Sequence, residues 1–294
     1  MAEKSRVSLI GLGSMGTAMA HRLLDQGFAL DFWNRSAKDN SELLAKGAVQ
    51  VELSDALKND FVISILSNDA AALEVFSEQN LSAASAGTIH INMSTLSPEA
   101  SETLAKLHAK HSIGYIAAPV LGRPIAITNG KLLIVAAGDP KDIEAAAPVF
   151  EKISAQYWNV GTDHAKANLV KLGVNYNLIH ALQAIGESVA LVESGGVDAN
   201  TFMEILTHTA FAGSAYAGYG PMIVNRRYTP PGFSMTLGLK DLKLIEDAAS
   251  AGGLTLPVAA VLRKLFETAQ VDPELKDLDW SAIAELTRRG NNPA

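Results

Sequence analysis

No cysteine occurs in the 294 residues, which excludes disulfides, a thiolate nucleophile and cysteine-ligated zinc together. The seven histidines are scattered, without an H-E-x-x-H spacing or a similar cluster, so no dedicated metal site is expected. Positive charge is also short: 24 Lys and Arg against 31 Asp and Glu leave a formal net charge of −7, which argues against nucleic acid as a partner. No apolar run approaches the roughly 20 residues that cross a bilayer. Residues 1–6 are mixed in charge and run straight into a strand-like segment, without the pattern of a signal peptide. No membrane partner and a cytoplasmic location are therefore the expectations. What remains, 48% hydrophobic and 19% charged residues, is an ordinary globular composition, and the length suits two domains.

Strand-like runs at 7–10, 28–33, 61–66, 88–92, 113–117, 132–137 and 156–160 alternate with helical patterns at 14–26, 70–78, 97–111 and 141–153. Such alternation predicts parallel strands with crossover helices, hence a doubly wound α/β sheet. From Asp163 onward the strand signal disappears. A long helical pattern fills 163–194, with Asp163 as N-cap and Gly195-Gly196 as stop. Further helices are predicted at 199–208, 215–225, 237–251, 257–268 and 280–288. The chain therefore divides into a first domain, 1–162, and an all-helical second domain, 163–294, that begins with an interdomain helix. The cleft between two such domains is the default place for a small-molecule substrate. Residues 288–294 are polar with a proline and are expected to fray.

Between the first strand-like run and the first helix lies Gly11-Leu12-Gly13-Ser14-Met15-Gly16. A dinucleotide pyrophosphate needs such a turn. Gly11 makes the tight bend, Gly13 allows close backbone approach, and Gly16 allows the helix to pack on the strand. The helix N-terminus then offers free N–H groups and a positive dipole end. The second run ends in Asn34-Arg35-Ser36, where a unit of this kind reads the adenosine ribose. No acid stands there. Arg35 is followed by Lys38, and two cations with amide and hydroxyl donors suit a 2′-phosphate, so the implied cofactor is NADP(H). Asp31 lies one pleat before the strand end and reads as a strand-surface residue. In an acidic chain the positive potential for such a cofactor must be local, which directs attention to Arg35, Lys38, Lys171 and Lys240.

His164, Asn168, Lys171 and Asn175 are spaced by four, three and four residues and so share one face of the long helix. A lysine and an asparagine held on a rigid helix can bind a substrate oxygen and exchange a proton with it; the alternative is a solvated polar stripe. Asn92-Met93-Ser94-Thr95 closes a strand, and Ser97-Pro98 opens the next helix as N-cap and first position. Leu66 and Ser67 close an earlier strand in the same way and join Thr95 as cofactor-binding candidates. Ser94 is a substrate candidate. The stretch Ala117-Ala118-Pro119-Val120-Leu121-Gly122-Arg123-Pro124 follows a later strand as a stiff loop, so Val120, Leu121, Gly122 and Arg123 are substrate candidates, with Arg123 its one charge for a carboxylate. Phe233, in the turn-rich break Tyr228-Thr229-Pro230-Pro231-Gly232-Phe233, is another. Lys240 joins the cofactor set if its helix faces the cleft.

These regions together resemble the β-hydroxyacid dehydrogenase family, relatives of 6-phosphogluconate dehydrogenase, from Val7 to about Thr268. The glycine turn with Met15, followed by Asn34-Arg35-Ser36, is similar to the family's cofactor signature. Ser94-Thr95 with Pro98 is similar to its S-T-x-x-P segment, and Ala118-Pro119-Val120 to its A-P-V-S-G-G substrate loop. Lys171 with Asn175 falls where the family places its catalytic lysine and neighbouring asparagine, and Lys240-Asp241 matches a K-D pair that reaches back to the cofactor. The resemblance implies an N-terminal Rossmann domain, a long interdomain helix and an all-helical C-terminal domain that builds the oligomer interface, here a homodimer. It also implies hydride transfer between a nicotinamide and a small 3-hydroxy acid, aldehyde or keto acid, with Lys171 as general acid and base and Asn175 holding the substrate oxygen or the lysine.

Two departures stand out. Leu121-Gly122-Arg123 replaces S-G-G, and Ala165 and Ala167 replace a G-x-G upstream of Lys171. Carboxylate recognition either moves to Arg123 or is absent. Two other readings follow. One is an imine reductase on the same fold, a branch that commonly lacks the lysine retained here. The other, of a different class, is a non-catalytic nucleotide-sensing module, whose signature would be loss of that lysine.

Overall fold

The computed structural model describes residues 6–289. Of the tail 288–294 expected to fray, residues 290–294 fall outside them, while Arg288 ends α14 (Ala284–Arg288) paired with Glu193 and Glu285, and Arg289 is paired with Asp272 and Glu274. Residues 1–5 of the segment expected to lack a signal-peptide pattern also fall outside. The chain forms two compact units, Met1–Lys171 and Leu172–Ala294. In the first, the strands are β1 (Arg6–Ile10), β2 (Ala29–Trp33), β3 (Val49–Gln50), β4 (Phe61–Ser64), β5 (Ile89–Asn92), β6 (Gly114–Ala117), β7 (Val120–Leu121), β8 (Leu133–Gly138) and β9 (Gln156–Asn159). The helices are α1 (Ser14–Asp25), α2 (Ser41–Ala45), α3 (Leu53–Ala56), α4 (Asp69–Val75), α5 (Glu78–Leu81), α6 (Pro98–Lys110), α7 (Pro124–Thr128), α8 (Pro140–Ile153) and the start of α9 (His164–Ser194). The strand order is β3-β2-β1-β4-β5-β6-β8-β7, with β9 beside β8.

From β3 through β6 every pairing is parallel. Val7 and Leu9 pack into the core on one face of the sheet, and Ile10 and Val62 into the core on the other. Burial on both faces is why these strands read as near-continuous apolar runs. Helix α1 buries Gly16, Met19, Ala20 and Leu23, the i, i+3, i+4, i+7 stripe of a helix lying on a sheet. Helix α6 starts as its sequence predicts: Ser97 Oγ accepts from Ala100 N–H at 3.0 Å, and Pro98 is the first helical residue.

The doubly wound α/β sheet departs from all-parallel order at β8. The stretch after β6, expected as a loop, holds β7, and both β6 and β7 pair antiparallel with β8. Pro119 has no N–H to give a ladder, so it interrupts what is otherwise one edge running along β8. Asp31 also corrects the sequence reading. It is buried rather than on the strand surface, because Arg6 Nη1 donates to it at 2.7 Å and Asn59 Nδ2 at 2.8 Å.

A buried polar chain crosses this unit beneath β4 and β5. Leu104 O can only accept, so the 2.7 Å contact from His108 Nδ1 fixes the proton on Nδ1. His108 Nε2 must then accept from His90 Nδ1 at 2.8 Å, and His90 Nε2 from the Ser64 hydroxyl at 2.8 Å. Both rings are neutral in this arrangement. Burial pushes His108 down to about 4, and burial with the neighbouring His108 holds His90 well below the ordinary histidine value. In the unfolded chain both return to about 6.5. Stability from this pair is therefore complete above about pH 6.5 and is lost as pH falls toward 4, at up to roughly 1.4 kcal/mol per pH unit for each ring. Thermal unfolding at pH 7, 6 and 5 should show the melting temperature falling with acid, less steeply in His108→Leu; a melting temperature level from pH 7 to 5 would refute the assignment.

The second unit holds the rest of α9, then α10 (Ala199–Thr207), α11 (Ser214–Val224), α12 (Met235–Ala251), α13 (Ala259–Val271), a 3-10 turn (Trp280–Ile283) and α14 (Ala284–Arg288). Its core gathers Ile179, Leu182 and Ile185 of α9 with Met235 and Leu242 of α12, Leu262 and Phe266 of α13, and Trp280. The division between the units lies inside α9, after Lys171, where the sequence suggested a boundary between residues 162 and 163. Asp163 Oδ1 accepts from Ala165 N–H at 3.1 Å at the helix start, and the helix stops before Gly195, with Gly196 at φ +76°.

Candidate active site

The glycine turn joins β1 to α1. Gly11 has φ +95°, and a Cβ there would lie 2.5 Å from Ile65 O. A Cβ on Gly16 would collide with the Gly11 carbonyl oxygen, so both glycines are required by the chain's own backbone. Gly13 is different. A Cβ there would meet no protein atom within 4 Å, so nothing in the fold demands glycine at this exposed position. No side chain caps α1 at Gly13, which leaves the first N–H groups of a twelve-residue helix for an anion. A nicotinamide dinucleotide fits here: a backbone kept bare where the protein itself does not need it bare, at an uncapped helix N-terminus.

Asn34 and Lys38 brace this turn. Asn34 Oδ1 accepts from Leu12 N–H at 2.9 Å while its Nδ2 donates to Ser36 O at 2.7 Å. Lys38 Nζ donates to Leu12 O at 2.8 Å and to Thr17 Oγ1 at 3.1 Å. Both polar atoms of the Leu12 backbone are thus held from the end of β2. Arg35 instead forms an ion pair with Glu74 of α4 at 3.0 Å, with both side chains about two-thirds exposed (66% and 64%). The sequence carries no signal for Glu74, since no local pattern links α4 to the β2 end.

The ends of β4 and β5 are tied to each other. Leu66 N–H donates to Ser94 Oγ at 2.8 Å, Ser94 N–H to Asn92 Oδ1 at 3.0 Å, and Asn92 Nδ2 to the Tyr115 hydroxyl at 3.2 Å. Ser94 is buried, Thr95 and Leu66 are half-buried and Ser67 is exposed. In the later stretch, Val120 and Leu121 form β7 and Gly122 takes φ +147°. Half-buried Arg123 stands at the N-cap of α7 and offers its backbone carbonyl to Ala126 N–H at 2.8 Å. The turn and the segments after β4, β5 and β6 all lie at the carboxyl ends of parallel strands, where open α/β sheets bind ligands. A cavity of about 500 Å³ lined by Gly87, Ser112, Gly114, Asp142 and His164 opens at the opposite, amino end; of the residues singled out in the sequence it takes only His164, from the polar face of α9.

On α9 the polar stripe is not solvated. Asn168, Lys171 and Asn175 are 2%, 8% and 3% exposed, while the apolar Leu169 and Val170 beside them are 46% and 40% exposed. His164 Nε2 donates to Tyr115 O at 3.0 Å, and Asn168 Oδ1 is buried without a hydrogen-bond partner among the described residues. In the second unit, Asn175 Nδ2 donates to Asp241 Oδ2 at 2.6 Å, and Asp241 is fully buried. Lys240 Nζ stands 3.0 Å from Asp241 Oδ1 as an ion pair outside hydrogen-bond geometry. Asp241 therefore fixes the amide of Asn175 with its nitrogen inward, leaving Oδ1 as the acceptor it presents. The sequence signalled Asp241 only as the neighbour of Lys240; its bond to a residue 66 positions away has no local signature. Phe233 is half-buried in the segment before α12.

Among the described residues no group of three or more His, Asp or Glu could hold a metal ion, and no helix is long and apolar enough to cross a membrane.

Residues 6–161 match the family described as the NAD binding domain of 6-phosphogluconate dehydrogenase. Residues 165–287 match the one described as NAD-binding of NADP-dependent 3-hydroxyisobutyrate dehydrogenase. The chain is 36% identical over 287 residues to the uncharacterized oxidoreductase YfjR of Bacillus subtilis, covering 96% of this chain and 100% of that one. It is 30% identical over 286 residues to glyoxylate/succinic semialdehyde reductase 1 of Arabidopsis thaliana, covering 96% and 98%. Among solved structures, a 3-hydroxyisobutyrate dehydrogenase of Mycobacterium tuberculosis with L-serine superposes with a TM-score of 0.86 at 25% identity, covering 97% of this chain and 100% of that one.

Proposed function

The chain belongs to the β-hydroxyacid dehydrogenase family, and from that premise we propose that it is an NADP(H)-dependent reductase of a small aldehyde or keto acid, run in reverse as a 3-hydroxyacid dehydrogenase. Membership makes it a nicotinamide-dependent oxidoreductase acting on a small molecule. The finer reading is carried by one observation: Lys171 is a buried lysine, 8% exposed, one helical turn from Asn175, whose amide a buried aspartate has already oriented.

When bound, the nicotinamide supplies hydride to the carbonyl carbon in reduction or takes it from the carbinol carbon in oxidation. The Lys171 ammonium gives a proton to the oxygen that gains charge in reduction, and its neutral amine accepts that proton in oxidation. Asn175 Oδ1, with Nδ2 held by Asp241, accepts from the substrate hydroxyl or from the lysine. Gly13 and the uncapped start of α1 would hold the pyrophosphate. Arg35, paired with Glu74 in this structure, would be the residue to hold a 2′-phosphate, which offers doubly charged, paired acceptors.

Steady-state assays with glyoxylate, succinic semialdehyde and a cyclic imine, each with NADPH and NADH, test this. NADPH with an aldehyde should give the highest kcat/KM, and Arg35→Ala should lower kcat/KM for NADPH about tenfold while leaving NADH within twofold. A wild-type preference for NADH ends the cofactor reading, and faster turnover of the imine hands the function to the other branch.

A further inference from the structure

Asp279 is a fully buried carboxylate outside the residues considered so far, and it accepts four hydrogen bonds. Its Oδ2 takes the backbone N–H groups of Gly232 and Phe233, each at 3.0 Å. Its Oδ1 takes Ser281 N–H at 3.1 Å and the Ser281 hydroxyl at 2.7 Å. Two backbone bonds extend the clamp, from Asp279 N–H to Tyr228 O at 3.0 Å and from Trp280 N–H to Phe233 O at 2.9 Å. A carboxylate has about four acceptor positions, so this one is saturated, and every bond it takes is charge-assisted.

The clamped segment carries Phe233. With the Gly232 and Phe233 N–H groups on a single oxygen, the Phe233 ring stands edge-on to Trp280, centroids 4.7 Å apart at 64°. Trp280 is itself fixed, because its Nε1–H donates to the Tyr219 hydroxyl at 3.0 Å. There is no slack behind it: a Cβ on Gly238 of α12 would lie 2.6 Å from the Phe266 ring and 3.1 Å from the Trp280 ring. Phe233 is thus held from its backbone and from one ring edge, while part of its surface stays open.

We propose that Asp279 is a positioning residue for substrate: it sets the place of the Phe233 ring, which lies against the carbon chain of the bound aldehyde or hydroxy acid. This rests on the reductase reading and on Phe233 as a substrate contact. The carboxylate is needed because an amide at 279 would turn one acceptor oxygen into a donor nitrogen, facing either the two loop N–H groups or the Ser281 pair. Half of the clamp would be lost without a change of shape.

The test is a double-mutant cycle on the full chain with its best aldehyde. Phe233→Ala should raise substrate KM about tenfold, the scale of one lost apolar contact. Asp279→Asn should raise KM by a similar factor with kcat within about threefold, and adding it to Phe233→Ala should change KM no further. Ser281→Ala, which removes one bond to Oδ1, should act in the same direction by about twofold, and it carries the same cycle if Asp279→Asn does not fold. Wild-type inactivity on every aldehyde sinks the reductase reading, and an unchanged KM in Phe233→Ala sinks the substrate contact and the proposal with it. If Phe233→Ala raises KM while the folded clamp variants do not, or if the effects multiply, Asp279 only supports the fold and the positioning role is overturned.

Discussion

Lys171→Ala is expected to lower kcat by about 10²- to 10⁴-fold on the best substrate, the usual worth of a positioned proton donor, or roughly 3 to 5 kcal/mol of transition-state stabilisation. Cofactor affinity should stay within a few-fold, because the glycine turn and its braces lie on β1, α1 and the end of β2. Folding should survive. Alanine is the best helix former, and because the exchange takes away a charge together with its buried aliphatic stem at a position only 8% exposed, a melting curve accompanies the rate. Asn175→Ala is a poorer probe, since it takes the 2.6 Å donor away from a fully buried aspartate. Leaving that carboxylate oxygen unpaired costs about 1–3 kcal/mol of stability, and a rate loss would then mix chemistry with folding. Rates and cofactor dissociation constants measured on purified Lys171→Ala decide the matter. A kcat within a few-fold of wild type would remove Lys171 from proton transfer.

Much of this arrangement is legible in the sequence because it is local. The turn, its helix and the strand before it are encoded within residues 6–25, and the α6 cap within four residues. The order of strands and helices follows from alternating patterns long enough to carry a period. The two-residue strands β3 and β7 and the short helices α2, α3, α5 and α7 have no room for one, and they form because flanking elements bring their backbones into place. The burial of Asp31 is illegible for a related reason: what buries it is Arg6 and Asn59, 25 and 28 residues away, and neither belongs to its own strand pattern. The stripe on α9 was legible as a face but not as a buried one. Spacing shows that Asn168, Lys171 and Asn175 point the same way; only the packed fold shows that this polar face is covered while Leu169 and Val170 are not. Asp241 and Asp279 mark the limit of sequence reading, because each acts through partners dozens of residues away.

The glycine turn offers the second large effect, a separation of stability from binding within one motif. Gly13 sits at φ −66°, ψ −172°, a conformation any residue adopts, and its missing Cβ would touch no protein atom. Gly13→Ala should therefore melt within a few degrees of wild type, since exchanging glycine for alanine at an N-cap costs about 0.5–1 kcal/mol. The methyl group would instead occupy the space through which the pyrophosphate approaches the backbone, and NADPH should bind at least tenfold more weakly. Gly16→Ala should behave in the opposite order. Helix propensity favours alanine by about 1 kcal/mol, yet its Cβ would run into the Gly11 carbonyl oxygen, a backbone atom that cannot swing aside. Overpacking of this kind costs roughly 1–3 kcal/mol, so the melting temperature should drop by several degrees and binding should suffer as a consequence of the displaced turn. Melting curves and NADPH titrations of the two variants separate a glycine kept for the ligand from one kept for the fold. If Gly13→Ala bound NADPH as tightly as wild type, the pyrophosphate would not lie on this turn, and the reading of Arg35 as its 2′-phosphate partner would lose its geometric anchor.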